Sequence, residues 1–252
     1  MSNPRSQGTA LITGASRGIG ASTATTLADA GVTRFLLHYN SHEAGALEVK
    51  HAVEAKGATA EIIQGDLGTT EGIHQAVAAI SGREFDILVN NAGSLIQRAK
   101  LVEFSESLYD QVMNLNVKSA WFIAQAVAKG MVERKSGAII NVSSIAARNG
   151  GGPGAAIYAA AKASVACFTK GMAKELAPHG IRVNAVSPGT VDNDFHAKFS
   201  TKQMLDSVVA QTPAGRLSTN EDVADVILFL CSDAARYVHG QTIEINGGMF
   251  MV

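Results

Sequence analysis

Short apolar runs alternate with longer segments whose apolar residues recur three or four apart, and the alternation continues along the chain. The short runs, bounded by glycine or polar turns, read as strands buried on both faces. The longer segments read as amphipathic helices. Strands are expected at 9–13, 34–39, 60–64, 86–89, 138–142, 182–186 and 241–245. Helices are expected from the glycine turn to about 30, then over 42–56, 70–81, 105 to about 135, 157–177, and from 218 to about 231. The last of these opens with Ser218-Thr219-Asn220-Glu221, which fits a capping box. Asn114 and Asn116 fall inside the long 105–135 segment, where asparagine is unfavourable unless it bends the helix or makes a specific bond.

Uninterrupted strand–helix alternation predicts an α/β fold, a single-domain doubly wound parallel sheet over residues 1–252. Residues 1–8 read as a mobile polar leader, 149–154 (NGGGPG) as a flexible turn, and 190–212, amphipathic but irregular, as a substrate lid. Right-handed crossovers bring every strand C-terminus to one edge of such a sheet. Gly14, Asp66, Asn91, Ser144 and Pro188 all follow strands and collect there.

Gly14-Ala15-Ser16-Arg17-Gly18-Ile19-Gly20 follows the first strand and opens a helix. Glycines permit a tight turn and close approach of the backbone to a diphosphate, and the helix N-terminus offers free N–H groups. A glycine triplet alone also fits a plain turn; its strand–helix setting favours a dinucleotide. The second strand ends in His38-Tyr39-Asn40-Ser41, without the acid that would bond a ribose 2′-hydroxyl. Arg17 is placed to meet a 2′-phosphate, so NADP(H) is expected over NAD(H); Asn40 and Ser41 alternatively just start the next helix. Asp66, followed by Leu67, suits either an adenine amino group or an ordinary turn. Asn90-Asn91-Ala92-Gly93 gives a flat ligand room, or makes a simple turn.

Tyr158 and Lys162 stand four apart on the 157–177 helix and share a face. A tyrosine titrates near 10, and a neighbouring cation favours phenolate and makes it a better proton donor. Such pairs are also common on ordinary helices.

With 252 residues, 46% hydrophobic and 17% charged, the chain can bury a full core. A net charge of −1 argues against a broad nucleic-acid surface. No apolar stretch is long enough to span a bilayer, and no signal-peptide core precedes the first strand. The lone Cys167 and Cys231 suit a reducing compartment, so a cytoplasmic location is expected. The seven histidines show no ligand spacing, and no metal is expected.

Thr13-Gly14 with Gly18 and Gly20, Asn90-Asn91-Ala92-Gly93, Asn116, Ser144, Tyr158 with Lys162, and Pro188-Gly189 occur in order along the chain. Together they resemble the short-chain dehydrogenase/reductase family, a Rossmann fold, over 9–252. Within it the chain looks most like the beta-ketoacyl-acyl carrier protein reductases, through Arg17, the acid-free second strand end and the apolar ending 246–252.

The resemblance implies that Tyr158 is the general acid, that Lys162 lowers its pKa and bonds the nicotinamide ribose, that Ser144 holds the carbonyl oxygen, and that Asn116 positions a proton-relay water. It implies cofactor contacts at Gly14, Ser16, Arg17, Gly18, Ile19, Gly20, Asn40, Ser41, Asp66-Leu67, Asn91, Ala92, Gly93, Pro188, Gly189 and the Val191 backbone. It also implies a homotetramer.

The chain departs from the family in having Asp192-Asn193-Asp194 where a threonine often touches cofactor, and in its long 149–154 turn. Of the basic residues that would meet an acidic acyl carrier protein, Lys135 is present, but His179 replaces a common arginine.

The expected activity is NADPH-dependent reduction of a small-molecule carbonyl, with 3-oxoacyl thioesters as candidate substrates. Sugars, polyols or small ketones are the alternative. A non-catalytic dinucleotide-binding protein is a third reading, which the full Asn116, Ser144, Tyr158, Lys162 set opposes.

Overall fold

The computed structural model describes residues 8–251; the expected leader at 1–8 (Gly8 apart) and Val252 of the apolar tail lie outside the described residues. The described chain contains β1 (Thr9–Ile12), α1 (Gly18–Asp29), β2 (Arg34–Tyr39), α2 (Glu43–Glu54), β3 (Thr59–Gln64), α3 (Thr70–Ile80) and β4 (Ile87–Asn90). Then come α4 (Glu106–Met113), α5 (Ser119–Arg134), β5 (Gly137–Val142), α6 (Ala146–Asn149), α7 (Ala156–Leu176) and β6 (Ile181–Pro188). The chain continues with α8 (Asp194–Phe199), α9 (Lys202–Gln211), α10 (Asn220–Cys231) and β7 (Thr242–Ile245).

The strands form one seven-stranded sheet in the order β3-β2-β1-β4-β5-β6-β7, and every pair is parallel. Alternate residues serve opposite faces of a strand. Ala10, Ile12, Val89 and Ile140 join a cluster with residues of α1 and α10, whereas Leu11, Leu88 and Ile139 join one with α3 and α5. Burial on both faces is why these strands read as continuous apolar runs. The strand order reverses between β1 and β4, and the crevice outside the strand C-termini at such a switch point is where ligands bind in open α/β sheets.

Three local features differ from the sequence reading or sharpen it. The 105–135 segment is two helices joined by a π-helical turn, Asn114–Lys118, centred on the asparagines. Such turns concentrate at functional sites. The cap of α10 lies one residue later than expected: Thr219 accepts from Asp222 N–H, and the Asp222 carboxylate accepts from Thr219 N–H. Ser218 instead bridges to Val191, and its hydroxyl donates to Thr190 O, so it is committed to the lid base. The lid itself folds as α8 and α9, capped by Asn193 and Thr201.

A buried polar chain seats α7 on the sheet. Asn90 Nδ2 donates to Asn141 Oδ1 at 2.9 Å and to Ala120 O at 3.1 Å. Asn141 Nδ2 donates in turn to Thr169 Oγ1 at 2.9 Å. Asn141 and Thr169 are fully buried, so their polar groups need these partners. Replacing Asn141 by leucine removes the central link and is expected to cost about 1–3 kcal/mol. The thermal midpoint should then fall by roughly 2–10 °C; an unchanged or raised midpoint in calorimetry would contradict the role assigned to this chain.

Candidate active site

The strand C-termini open onto a cleft of about 710 Å³. Gly14, Ser16, Arg17, Gly18, Ile19, Asn40, Ser41, Leu67, Asn91, Ala92, Gly93, Ser144, Tyr158, Lys162, Pro188, Gly189 and Val191 line it, as the sequence led one to expect. Three expected residues do not. Gly20 is a packing residue: a Cβ there would stand 2.4 Å from Gly14 O, so its absence lets α1 close onto the turn. Asp66 is exposed, and its carboxylate accepts from Gly68 N–H at 2.9 Å, the ordinary turn role. Asn116 lies buried behind the cleft wall.

The glycine end fits a dinucleotide. Gly14 and Gly18 adopt φ of +64° and +59°, a region open to glycine at little cost. Helix α1 starts at Gly18 with no side-chain cap and no acid in its first turn, leaving its N–H groups and positive dipole end for an anion. Asn91 holds the turn in shape: its Nδ2 donates to Thr13 O and Gly14 O, both at 2.9 Å. Asn40 and Ser41 do not cap α2, whose N-cap is His42 without a side-chain bond. They stand exposed on the cleft wall beside the acid-free end of β2. Arg17 pairs with Asp194 of the lid at 3.3 Å, and both are largely exposed.

At the other end, Ser144, just past β5, and Tyr158 of α7 line the cleft together. Lys162 is buried, donates to Val142 O at 2.8 Å and lies 5.7 Å from the Tyr158 ring centre. The Ser143 hydroxyl donates to Lys162 O at 2.8 Å and fixes that turn of α7. A Cβ on Gly93 would sit 2.7 Å from Lys162 Nζ and 2.8 Å from Asn116 Oδ1, so glycine is required where the two converge. Asn116 Nδ2 donates to Ser94 O and Val112 O, both at 2.8 Å, and its buried Oδ1 has no protein partner. A buried acceptor in that condition calls for a donor from outside the protein, such as a water or a hydroxyl.

Burial pushes the Tyr158 phenol up to about 12, with the Ser144 hydroxyl opposing, and pulls Lys162 down to about 8. Removing the charged phenolate from water sets the direction of the Tyr158 shift, and Lys162 is not among its causes.

The lid covers this end. The Phe195 ring stands 5.9 Å from the Tyr158 ring, and Phe199 packs on Phe195 at 5.1 Å. Arg98, in the loop after β4, donates to Phe199 O at 2.9 Å and to Pro153 O at 2.8 Å. It ties the lid to the glycine-rich turn. Asn193, in place of the frequent threonine, donates to Asn220 at 3.0 Å and closes the lid base beside Gly18. Lys135 and His179 precede β5 and β6, at the edge of the sheet opposite this cleft. The signal for His38 existed only as a polar residue after an apolar run, and Arg98, between Gln97 and Lys100, gave none.

A family model described as Enoyl-(Acyl carrier protein) reductase matches residues 14–250. The 3-oxoacyl-[acyl-carrier-protein] reductase FabG of Escherichia coli (strain K12) is 37% identical over 243 residues, covering 96% of this chain and 97% of its own. A gluconate 5-dehydrogenase from Burkholderia cenocepacia J2315, solved in complex with NADP and tartrate, superimposes with a TM-score of 0.87 at 33% identity, covering 98% and 97%. Acetoin dehydrogenase from Enterobacter cloacae gives 0.86 at 32% identity, covering 97% and 96%. Sequence, sheet order and site geometry agree: the chain belongs to the short-chain dehydrogenase/reductase family of NAD(P)-dependent oxidoreductases.

Proposed function

We propose that this chain is an NADPH-dependent carbonyl reductase whose substrates are 3-oxoacyl thioesters. The observation that carries the chemistry is that Ser144, Tyr158 and the Lys162 ammonium, 5.7 Å from the Tyr158 ring, converge on the wall of a cleft that also holds an open helix N-terminus. Gly14, Ser16, Arg17, Gly18, Ile19, Asn40, Ser41, Leu67, Asn91, Ala92, Gly93, Pro188, Gly189 and Val191 would hold the dinucleotide. The absence of an acid after β2 and the presence of Arg17 support a 2′-phosphate. NADP is named with the Burkholderia neighbour.

When bound, the reduced nicotinamide supplies the hydride. The Ser144 hydroxyl holds the carbonyl oxygen through a hydrogen bond. The Tyr158 phenol gives its proton to that oxygen as negative charge develops there. Lys162 Nζ and a water on the unpaired Asn116 Oδ1 then return a proton to the phenol.

Apolar lid residues Phe195, Phe199, Met204, Leu205 and Val208 favour an acyl chain. A second reading, oxidoreduction of sugar acids, is favoured by Arg98 and Lys198 on the same wall and by the gluconate neighbour. A homotetramer, and an acyl carrier protein as thioester donor, belong to the first reading.

Two measurements test this. Steady-state NADPH oxidation should be at least about tenfold more efficient, in kcat/KM, with an acetoacetyl thioester than with an oxo-sugar acid. The reverse order would replace the thioester reading by the sugar-acid one. Lys162, held down to about 8, keeps its proton below that pH and loses it above. The reduction rate should therefore be level from pH 6 to about 8 and fall beyond it as proton return fails. A rate that stays level to pH 9.5 would remove Lys162 from the relay.

A further inference from the structure

His38 is a buried titratable side chain that none of the steps above uses. Its ring is almost fully enclosed, yet it stands at the end of β2 and contributes to the cleft wall. Phe35, Leu36 and Leu37, buried just before it in that strand, are apolar, so an imidazole beside them needs a reason. Nδ1 lies 3.3 Å from Gly14 N–H, and Nε2 lies 3.0 Å from Gly65 O. Accepting from Gly14 requires a bare Nδ1, so the ring is neutral with its proton on Nε2, and that proton is donated to Gly65 O. Burial pulls the ring below the ordinary histidine value, which keeps this neutral form. The residue's own carbonyl accepts from Ala15 N–H at 2.8 Å. Thus two successive N–H groups of the glycine turn end on one residue.

The partners follow the two strands that flank β2 in the sheet. Gly14 opens the left-handed turn that lines the cleft. Gly65 precedes Asp66-Leu67 at the end of β3, and Leu67 lines the same cleft. A histidine that served only the core would bond within strands or helices. This one bonds loop to loop across the mouth of the sheet.

We propose that His38 is the positioning residue of the cofactor site, setting the diphosphate turn at a fixed distance from the β3 wall, one ring nitrogen to each. The proposal rests on the NADPH reading above. An asparagine can put its amide oxygen where Nδ1 stands, and a glutamine can put its amide N–H where Nε2–H stands. The two substitutions therefore keep different halves of the bridge.

The test is fluorescence titration of NADPH against wild type and the three variants His38→Leu, His38→Asn and His38→Gln. In parallel, the KM of the carbonyl substrate is measured at saturating NADPH, and the imidazole tautomer is read by ¹⁵N NMR. Wild type should show His38 with a bare Nδ1 and a protonated Nε2. His38→Leu should raise the NADPH Kd by about tenfold or more, as expected for a stranded donor. The same substitution should move the carbonyl KM by less than about threefold. His38→Asn should recover most of the loss, and His38→Gln less of it. If the leucine variant does not fold, the asparagine–glutamine comparison decides. Equal NADPH affinity in those two variants, or in leucine variant and wild type, overturns the proposal. The opposite tautomer overturns it as well. Wild type that fails to bind NADPH would instead overturn the cofactor reading and the His38 role together.

Discussion

A lysine ammonium buried at the C-terminal edge of a parallel sheet is the constraint on which the candidate site depends. Burying a charge is unfavourable unless hydrogen bonds replace its water. Lys162 donates to Val142 O, the last carbonyl of β5, and its descent to about 8 records the remaining strain on the charged form. The surroundings follow from keeping that group in place. Ser143 fixes the Lys162 backbone, Gly93 leaves the space a side chain would fill, and Asn116 brings an unpaired oxygen to the same point. Beneath them the Asn90–Asn141–Thr169 chain sets α7 against the strands. Tyr158, one turn away, thereby shares the cleft wall with Ser144, its ring centre 5.7 Å from the lysine Nζ.

The sheet was legible because strands buried on both faces leave unbroken apolar runs, and glycine turns mark where each ends. The two asparagines inside one helical segment signalled a break, and the structure turns it into a π-helical turn that delivers Asn116. Other features were not legible, for physical reasons. The bonds of Arg98 to Phe199 and of His38 to Gly14 join residues 101 and 24 apart in sequence. No local pattern encodes such pairs. The capping box was displaced by one residue because Ser218 is needed by the lid base, a tertiary demand that overrides the local motif. The burial of Tyr158 was not legible either, because spacing reveals a neighbouring charge but not how much water the fold removes.

The lid and the cofactor loops are coupled through few contacts. Arg17 of the glycine turn reaches Asp194 at the start of α8, and Asn193 is tied to Asn220 at the start of α10. The first pair is exposed and worth little by itself. Its position matters more, since the same guanidinium is the group proposed to meet a 2′-phosphate. Arg98 fixes the far end of α8, so the phenylalanines over Tyr158 are held at both ends.

The most direct measurement is single-turnover NADPH oxidation at 340 nm by wild type and Tyr158→Phe, each mixed with an acetoacetyl thioester, with NADPH binding measured on both. The account predicts rapid oxidation by wild type. It also predicts a rate lower by on the order of 10²-fold or more in the variant, at similar NADPH affinity. Equal rates in the two proteins would contradict it, because the proton delivered to the carbonyl oxygen would then come from somewhere other than the Tyr158 phenol.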